Sequence, residues 1–251
     1  MKLGLGLNIK TSGGTDFNPS SLGSTLDLWY QYNTGLTNLS GTDGNSDNRM
    51  QWLDQSGNAR HAQQDTDAKK PTITSGYLDF EDTSVNDYME IATGTSVLDY
   101  GGTDTFTLVV AVRRESKTTA DRFIGSTVSQ FIGFVNQESK LQLRANSGLL
   151  AIQFDDDYFP INADYIVTVT KDADGNILVY KNSNVLSESG GGTSQLTGSD
   201  MDLTQIGSQL TSDTTTAFDG RMYEFIVCNT VLSTSDRNLT IDYLKNKLSI
   251  S

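Results

Sequence analysis

Alternate carboxylates, lone acids on apolar strands, one histidine, one cysteine and a set of strand-borne aromatics are the residues of this chain with the types and spacing for chemistry. Asp172-x-Asp174-Gly175-Asn176 sets oxygen-bearing side chains on a tight turn, as at the start of a calcium loop, because a hard cation needs several oxygens converging on one point. A full loop also needs a bidentate Glu several residues later, where this chain has the strand-like stretch Ile177 to Tyr180. A hairpin turn explains the same Asp-Gly pair. Asp155-Asp156-Asp157 is a second oxygen-rich run, either a contributor to a shared site or a solvated turn. No cofactor is required; calcium is the one that the residues offer, with Asp172, Asp174 and Asn176 as candidate ligands.

Hydrolytic chemistry is poorly provided for. Cleaving a glycosidic bond needs two carboxylates across the sugar, whereas Glu224 stands alone between Tyr223 and Phe225, and Glu90 between Met89 and Ile91. A Ser-His-Asp triad would have to use His61, and no Gly-x-Ser-x-Gly elbow accompanies it. Glycine-rich phosphate loops are also absent. Cys228 lies in an apolar strand with no second thiol, which fits a small core residue. The expectation is a protein without catalytic residues. Sugar recognition is different, since apolar sugar faces stack on aromatics while Asp and Asn take the hydroxyls. Tyr30, Tyr32, Trp52, Tyr100 and Tyr158 are available for stacking, though each is also a credible core residue. Tyr32, Trp52, Asp54 and Tyr158 are the candidate ligand-binding set.

The composition narrows the partners. Net charge is -13 with acids scattered through the loops, so no surface suited to tracking phosphates is available and nucleic acid is not an expected partner. Met1 to Lys10 alternates Gly with Leu and breaks at Asn8, too short for a secretory apolar region, and no stretch approaches the twenty apolar residues of a membrane span. The expectation is a soluble protein made in the cytoplasm, with release inside a virus particle as one route out and no membrane insertion.

The elements that must position these residues read as β. Apolar residues make up 36% of 251, with Gly, Thr, Ser, Asn and Asp abundant, as short strands and tight turns require. Residues 1–23 read as an N-terminal arm and 24–251 as one domain. Within the arm, Leu3, Leu5, Leu7 and Ile9 alternate at the strand period, which suits either a first strand of the same sandwich or a segment docking on a partner through residues 1–20. Strands are expected at 26–32, 77–80, 88–91, 106–112, 123–125, 131–135, 141–145, 150–154, 165–170, 177–182 and 203–207. Phe106 to Val112 is nearly continuous apolar, as for a strand covered on both faces. Gly125 and Gly133 sit where a bulge or a close sheet-to-sheet contact would want them. Trp52 anchors a strand end, Asp54 is set for an Asx-turn, and Gly57-Asn58 supplies positive φ. Ser233 or Ser235 caps a final helix whose apolar face is Leu239, Ile241, Tyr243, Leu244 and Leu248, with Lys245 and Lys247 in its last turn.

Two stretches carry a resemblance. The block Trp52-x-Asp54-x-Ser56-Gly57-Asn58, following Leu26-Asp27-Leu28-Trp29, and the closing run Phe218 to Asn229 with its Leu232-Ser233 helix, resemble LamG-like, concanavalin A-like jelly-roll domains. The resemblance implies an all-β, antiparallel two-sheet sandwich with one short C-terminal helix, and no reaction. Such domains occur as carbohydrate-binding modules and in bacteriophage particles. The unaccompanied domain and its alternating arm lead to the expectation of a virion structural protein, a decoration, neck or tail-fibre component joined to other virion proteins or to copies of itself. A soluble lectin-like module recognising a cell-surface glycan is the alternative.

Overall fold

A computed structural model describes residues 17–81, 86–91, 98–115, 121–127, 129–135, 140–145, 150–154, 159–190, 201–208 and 216–251. In chain order the strands are β1 (Leu26–Tyr30), β2 (Leu36–Asn38), β3 (Met50–Trp52), β4 (Ala62–Gln64), β5 (Thr72–Thr74), β6 (Tyr77–Phe80) and β7 (Met89–Ile91). They continue with β8 (Leu98–Tyr100), β9 (Phe106–Arg114), β10 (Asp121–Thr127), β11 (Gln130–Val135), β12 (Lys140–Ala145), β13 (Leu150–Phe154) and β14 (Asp164–Lys171). The last are β15 (Ile177–Lys181), β16 (Asn184–Val185), β17 (Glu188–Gly190), β18 (Met201–Leu203), β19 (Gln205–Ile206) and β20 (Gly220–Cys228), before helix α1 (Thr234–Leu248).

Two antiparallel sheets carry the fold. The first runs β16-β15-β14-β9-β20-β6-β5, with β1 also on β20; the second runs β17-β13-β12-β11-β10-β19-β7-β4-β3-β2. A small pair, β8 and β18, stands apart from both. This is the antiparallel sandwich with a single C-terminal helix that the sequence leads one to expect.

The central strand β9 shows why its sequence reads as continuously apolar. Phe106, Leu108, Val110 and Val112 point between the sheets, while Val109 and Ala111 point the other way into a second apolar layer. That layer is roofed by α1 through Ile241 and Leu244 and by Ile250. Strand residues alternate between faces, so a strand buried on both sides has no polar positions to show. Ser233 caps the helix by accepting from Asp236 N at 3.1 Å. Leu239 departs from the expected apolar face and is 42% exposed, because at 100° per residue it falls on the flank with Tyr243 and Asn246.

At Gly133, where a bulge or a sheet-to-sheet contact is expected, the close neighbour lies in the same sheet: a Cβ there would lie 2.3 Å from the carbonyl of Asp121 on the paired strand. The β10–β11 register breaks on either side of Ile124-Gly125, as at a bulge. The strand expected at 203–207 is two, since β18 pairs with β8 whereas β19 joins β10 to β7, and Thr204 changes sheets between them. Residues 1–16 lie outside the described residues, and with them both readings of Leu3 to Ile9. From Pro19 to Thr25 the chain makes a 3₁₀ turn capped by Asn18, and Leu22 packs partly on the layer under the helix. Among the described residues no helix is long and apolar enough to cross a membrane.

Candidate functional site: a polar groove built by a clamped turn

The Trp52 to Asn58 turn is densely hydrogen-bonded. Trp52 is wholly enclosed, stacks on Tyr30 with ring centroids 5.3 Å apart, and donates from its indole to Gln31 O at 3.1 Å. With the strand end pinned, Asp54 turns back on its own loop. Its Oδ1 accepts from Ser56 N (2.9 Å) and Trp29 N (2.9 Å), and its Oδ2 from Ser56 Oγ (2.8 Å) and Arg60 N (3.1 Å). The Ser56 bond is the expected Asx-turn. Asp54 N in turn donates to His61 Nδ1 at 3.0 Å. Four donors on one largely buried carboxylate make it the organiser of the loop.

What the loop organises is Asp27 on β1. Asn58 Nδ2 and Arg60 Nη1 donate to the Asp27 carbonyl at 2.9 and 3.2 Å, and Ser56 Oγ, whose proton goes to Asp54, lies 3.3 Å from it. Arg60 also pairs with Asp27 Oδ1, and Tyr100 donates its hydroxyl to Oδ2 at 3.0 Å. Burial, and then the Asp27 charge, pushes the Tyr100 phenol well above its ordinary range, so it stays a donor. Asp27 is thereby held in one position at the floor of a 460 Å³ groove, completed by Tyr100, Thr103, Asp104, Thr105 and Asn229. The groove's rim is also fixed. Buried Lys171 reaches under the turn after β8 and donates to the carbonyls of Gly102 (2.9 Å) and Asp104 (2.6 Å), and Gly101 N caps Asp104 Oδ2 at 3.0 Å. Thr105 Oγ1 ties the rim to Asn229 O at 3.3 Å.

The residues singled out by sequence fall in several places. Asp54 supports this groove from behind, and Trp52, with no exposed surface, is the pillar under the loop. Tyr32 is half-buried on the far side, its hydroxyl on Ser75 O (3.0 Å) and its ring 6.3 Å from that of Tyr223. Tyr158 and Asp155 to Asp157 lie outside the described residues. Both oxygens of Asp172 are used by Asn176, from its backbone N (2.8 Å) and its Nδ2 (2.8 Å), across a turn with Gly175 at φ 83°. These bonds, the Asn176 side chain first, hold the Asp172 carboxyl below the usual carboxylate range. Asp174 is exposed beside it. Among the described residues no three His, Cys, Asp or Glu side chains cluster so as to hold a metal ion. Asp27 and the Thr103 to Thr105 rim are what sequence reading missed. The available signal was a carboxylate interrupting the apolar run Leu26-Asp27-Leu28-Trp29, a place where a charge needs a partner.

A second groove, of 610 Å³, lies along the last turns of α1, walled by Phe17, Asn18, Leu239, Asp242, Tyr243, Asn246 and Lys247. Its support is Glu224, fully buried on β20. A register shift between Met222 and Glu224 turns both Tyr223 and Glu224 toward the helix. Glu224 then accepts from Trp29 Nε1 (2.7 Å), Tyr32 N (3.1 Å) and Lys247 Nζ (2.9 Å), and Lys247 also reaches Tyr243 Oη at 2.7 Å.

No family model matches the chain, and a search of curated proteins finds no match. Solved structures share the fold. A chain of botulinum neurotoxin type C, whose cell entry is described as dependent upon interaction with two ganglioside molecules, aligns at TM-score 0.54 and 14% identity over 90% of this chain and 53% of its own. The binding domain of botulinum neurotoxin DC, solved with rat synaptotagmin II, aligns at TM-score 0.56 and 15% identity over 88% of this chain and 52% of its own. Trypanosoma rangeli sialidase, solved with sialic acid, aligns at TM-score 0.57 and 15% identity over 90% of this chain and 34% of its own. The chain thus spans about half the length of the toxin chains and a third of the sialidase. At such identities the likeness shows the fold alone, an antiparallel β-sandwich.

Proposed function

We propose that this chain is a glycan-recognition module that takes sugar hydroxyls in the groove floored by Asp27. The observation that carries this reading is the rigid clamp. Hydroxyl recognition needs fixed acceptors and donors at a concave surface, and Asp27, Tyr100, Asp104 and Asn229 are held by bonds to the backbone or to each other before any ligand arrives. Fixing these groups in advance reduces the ordering cost of binding. The structures sharing the fold lend support, since two of them are described with gangliosides or sialic acid. Here the cations beside the groove, Arg60 and Lys171, are already engaged by Asp27 and by the Gly102 and Asp104 carbonyls, which favours a neutral sugar over a sialylated one that would set a further anion beside Asp27 and Asp104. A glycan array with the whole chain tests the reading. Neutral glycans retained by the wild type and lost by Thr103→Lys, which places a long side chain on the groove's rim, are the expected result. Absence of any glycan binding, or binding indifferent to Thr103→Lys, removes it.

A particle-borne setting, in which residues 1–20 anchor the module, belongs to the same proposal as its assembly context. Many copies on one surface would raise a weak single-site affinity by orders of magnitude. Incorporation into particles that survives deletion of residues 1–20 would count against that setting.

A further inference from the structure

One bond of the clamped turn has a direction that depends on a proton. Asp54 N donates to His61 Nδ1 at 3.0 Å. A backbone amide can only donate, so Nδ1 must offer its lone pair and the neutral ring must carry its proton on Nε2. Turning the ring over would set a C–H against the amide of a largely buried residue and leave that amide unpaired. His61 is half-buried and is the one histidine of the chain, and imidazole is the side chain that exchanges its proton between about pH 5 and 8. Once Nδ1 is protonated, two donors face each other and the bond is lost. The Asp54 carboxylate could accept from the imidazolium only by leaving Ser56 Oγ and Arg60 N, which it holds at 2.8 and 3.1 Å.

The effect reaches the groove because Asp54 fixes Arg60 N, and Arg60 with Asn58 fixes Asp27. The other charged and titratable groups on the elements around His61 are Arg60 on its own loop, Tyr30 and Asp27 on β1, and Glu90 on β7, opposite Gln63. Arg60 is paired with Asp27. The Tyr30 hydroxyl is spent on Arg60 O at 2.6 Å, and burial, then the Asp54 charge, holds its phenol well above the ordinary range, so it stays a neutral donor.

We propose that His61 is a positioning residue for the groove floored by Asp27: the groove is complete only while His61 is neutral, so the chain holds its glycan at neutral pH and releases it in a mildly acidic medium. The ligand in this inference rests on the groove being a glycan site; the coupling from His61 to Asp27 is a property of the protein alone.

Because His61 has no second histidine to overlap it, its ring signals in an NMR titration of the full chain are unambiguous. At pH 7.5 the ring nitrogens should show Nε2 protonated and Nδ1 unprotonated. Between pH 7.5 and 5.5, above the ordinary carboxylate range, the backbone amides of Asp54, Ser56, Arg60 and Asp27 should move with the same midpoint as the ring. Over that interval the affinity for a neutral glycan from the array should fall about tenfold, within the usual range of coupling between two sites. His61→Asn keeps an acceptor where Nδ1 stands and takes up no proton, so it should bind like the wild type at pH 7.5 and hold that affinity at pH 5.5. His61→Ala, with no acceptor, should be about tenfold weaker at both, the scale of an unpaired buried amide. Asp87, lifted to about 7, is present in every variant; a pH dependence that survives in His61→Asn would belong to it and overturn the proposal. A proton on Nδ1 at pH 7.5, loop amides indifferent to the ring, or wild-type affinity unchanged between the two pH values would overturn it as well. Should no glycan bind at any pH, the glycan site falls, and the ring and amide shifts still decide whether His61 holds the loop.

Discussion

The two grooves are built on opposite logic. The end groove is polar and is fixed by a chain of hydrogen bonds running from Asp54 through Ser56, Asn58 and Arg60 to Asp27. The helix-side groove mixes the apolar Phe17, Leu239 and Tyr243 with the polar Asn18, Asp242, Asn246 and Lys247, and rests on one buried carboxylate, Glu224, that pins Trp29, Tyr32 and Lys247 together. Hydrogen bonds fix direction, so the first suits a ligand whose hydroxyls must be met at set positions. The second depends on how α1 seats over β20, through the pair Glu224–Lys247 and the apolar layer beneath the helix.

The largest expected effect falls on the helix-side groove. Glu224→Ala leaves the Trp29 indole N–H without its acceptor and Lys247 without its ion partner, and should cost about 3 kcal/mol, the scale of breaking a buried pair; Lys247 is 22% exposed and can swing into water, which limits the loss. Urea unfolding measures it, and glycan binding by surviving folded protein should be unchanged if the grooves are independent.

Asp54→Asn should cost about 2 kcal/mol, because an amide nitrogen would face Arg60 N or Ser56 Oγ in place of an acceptor. Glycan affinity should fall more than tenfold although Asp54 does not line the groove, because the loop it organises holds Asp27.

Asp87 belongs to neither groove and sharpens the contrast as a control. Burial, with Glu81 and Asp79 nearby, lifts its carboxyl to about 7 even though Glu81 N donates to it at 3.1 Å. A carboxyl whose pKa is higher in the folded state binds more protons there, so stability is greatest below pH 4 for this group and falls as pH rises from about 4 to about 7. Asp87→Asn should remove that component and raise stability at pH 7.5 by about 1 kcal/mol. Thermal melts across pH, compared with the wild type, read the difference; an unchanged pH slope would show that Asp87 is not the source. The smallest effect on stability belongs to Thr103→Lys, an exposed substitution expected within about 0.5 kcal/mol of the wild type.

Much of this architecture is legible in the sequence where chemistry is local. The Asp54 turn, the Asp172–Asn176 hairpin and the Ser233 cap each join residues within a few positions, so their side-chain types announce them. The strands missed, such as β2, β4 and β5, are three residues long, too short for alternation to register. Leu239 misled because a helical apolar stripe does not reveal which flank meets the sheet. The groove itself was hidden for a different reason. Asp27 meets Arg60 and Tyr100 from 33 and 73 positions away, and Lys171 supports a rim 67 residues earlier; only the pairing of β9 with β14 and β20 brings these together. Glu224, which looks isolated between two aromatics, becomes a hub through a bulge that no local pattern foretells.

The most direct measurement is the affinity of wild type and Asp54→Asn for a neutral glycan selected on the array, by calorimetry at a temperature where both are folded. The account predicts saturable binding by the wild type and a loss of more than tenfold in the variant, with Thr103→Lys losing it as well. Equal affinity in wild type and Asp54→Asn would contradict the claim that the clamped turn builds the site.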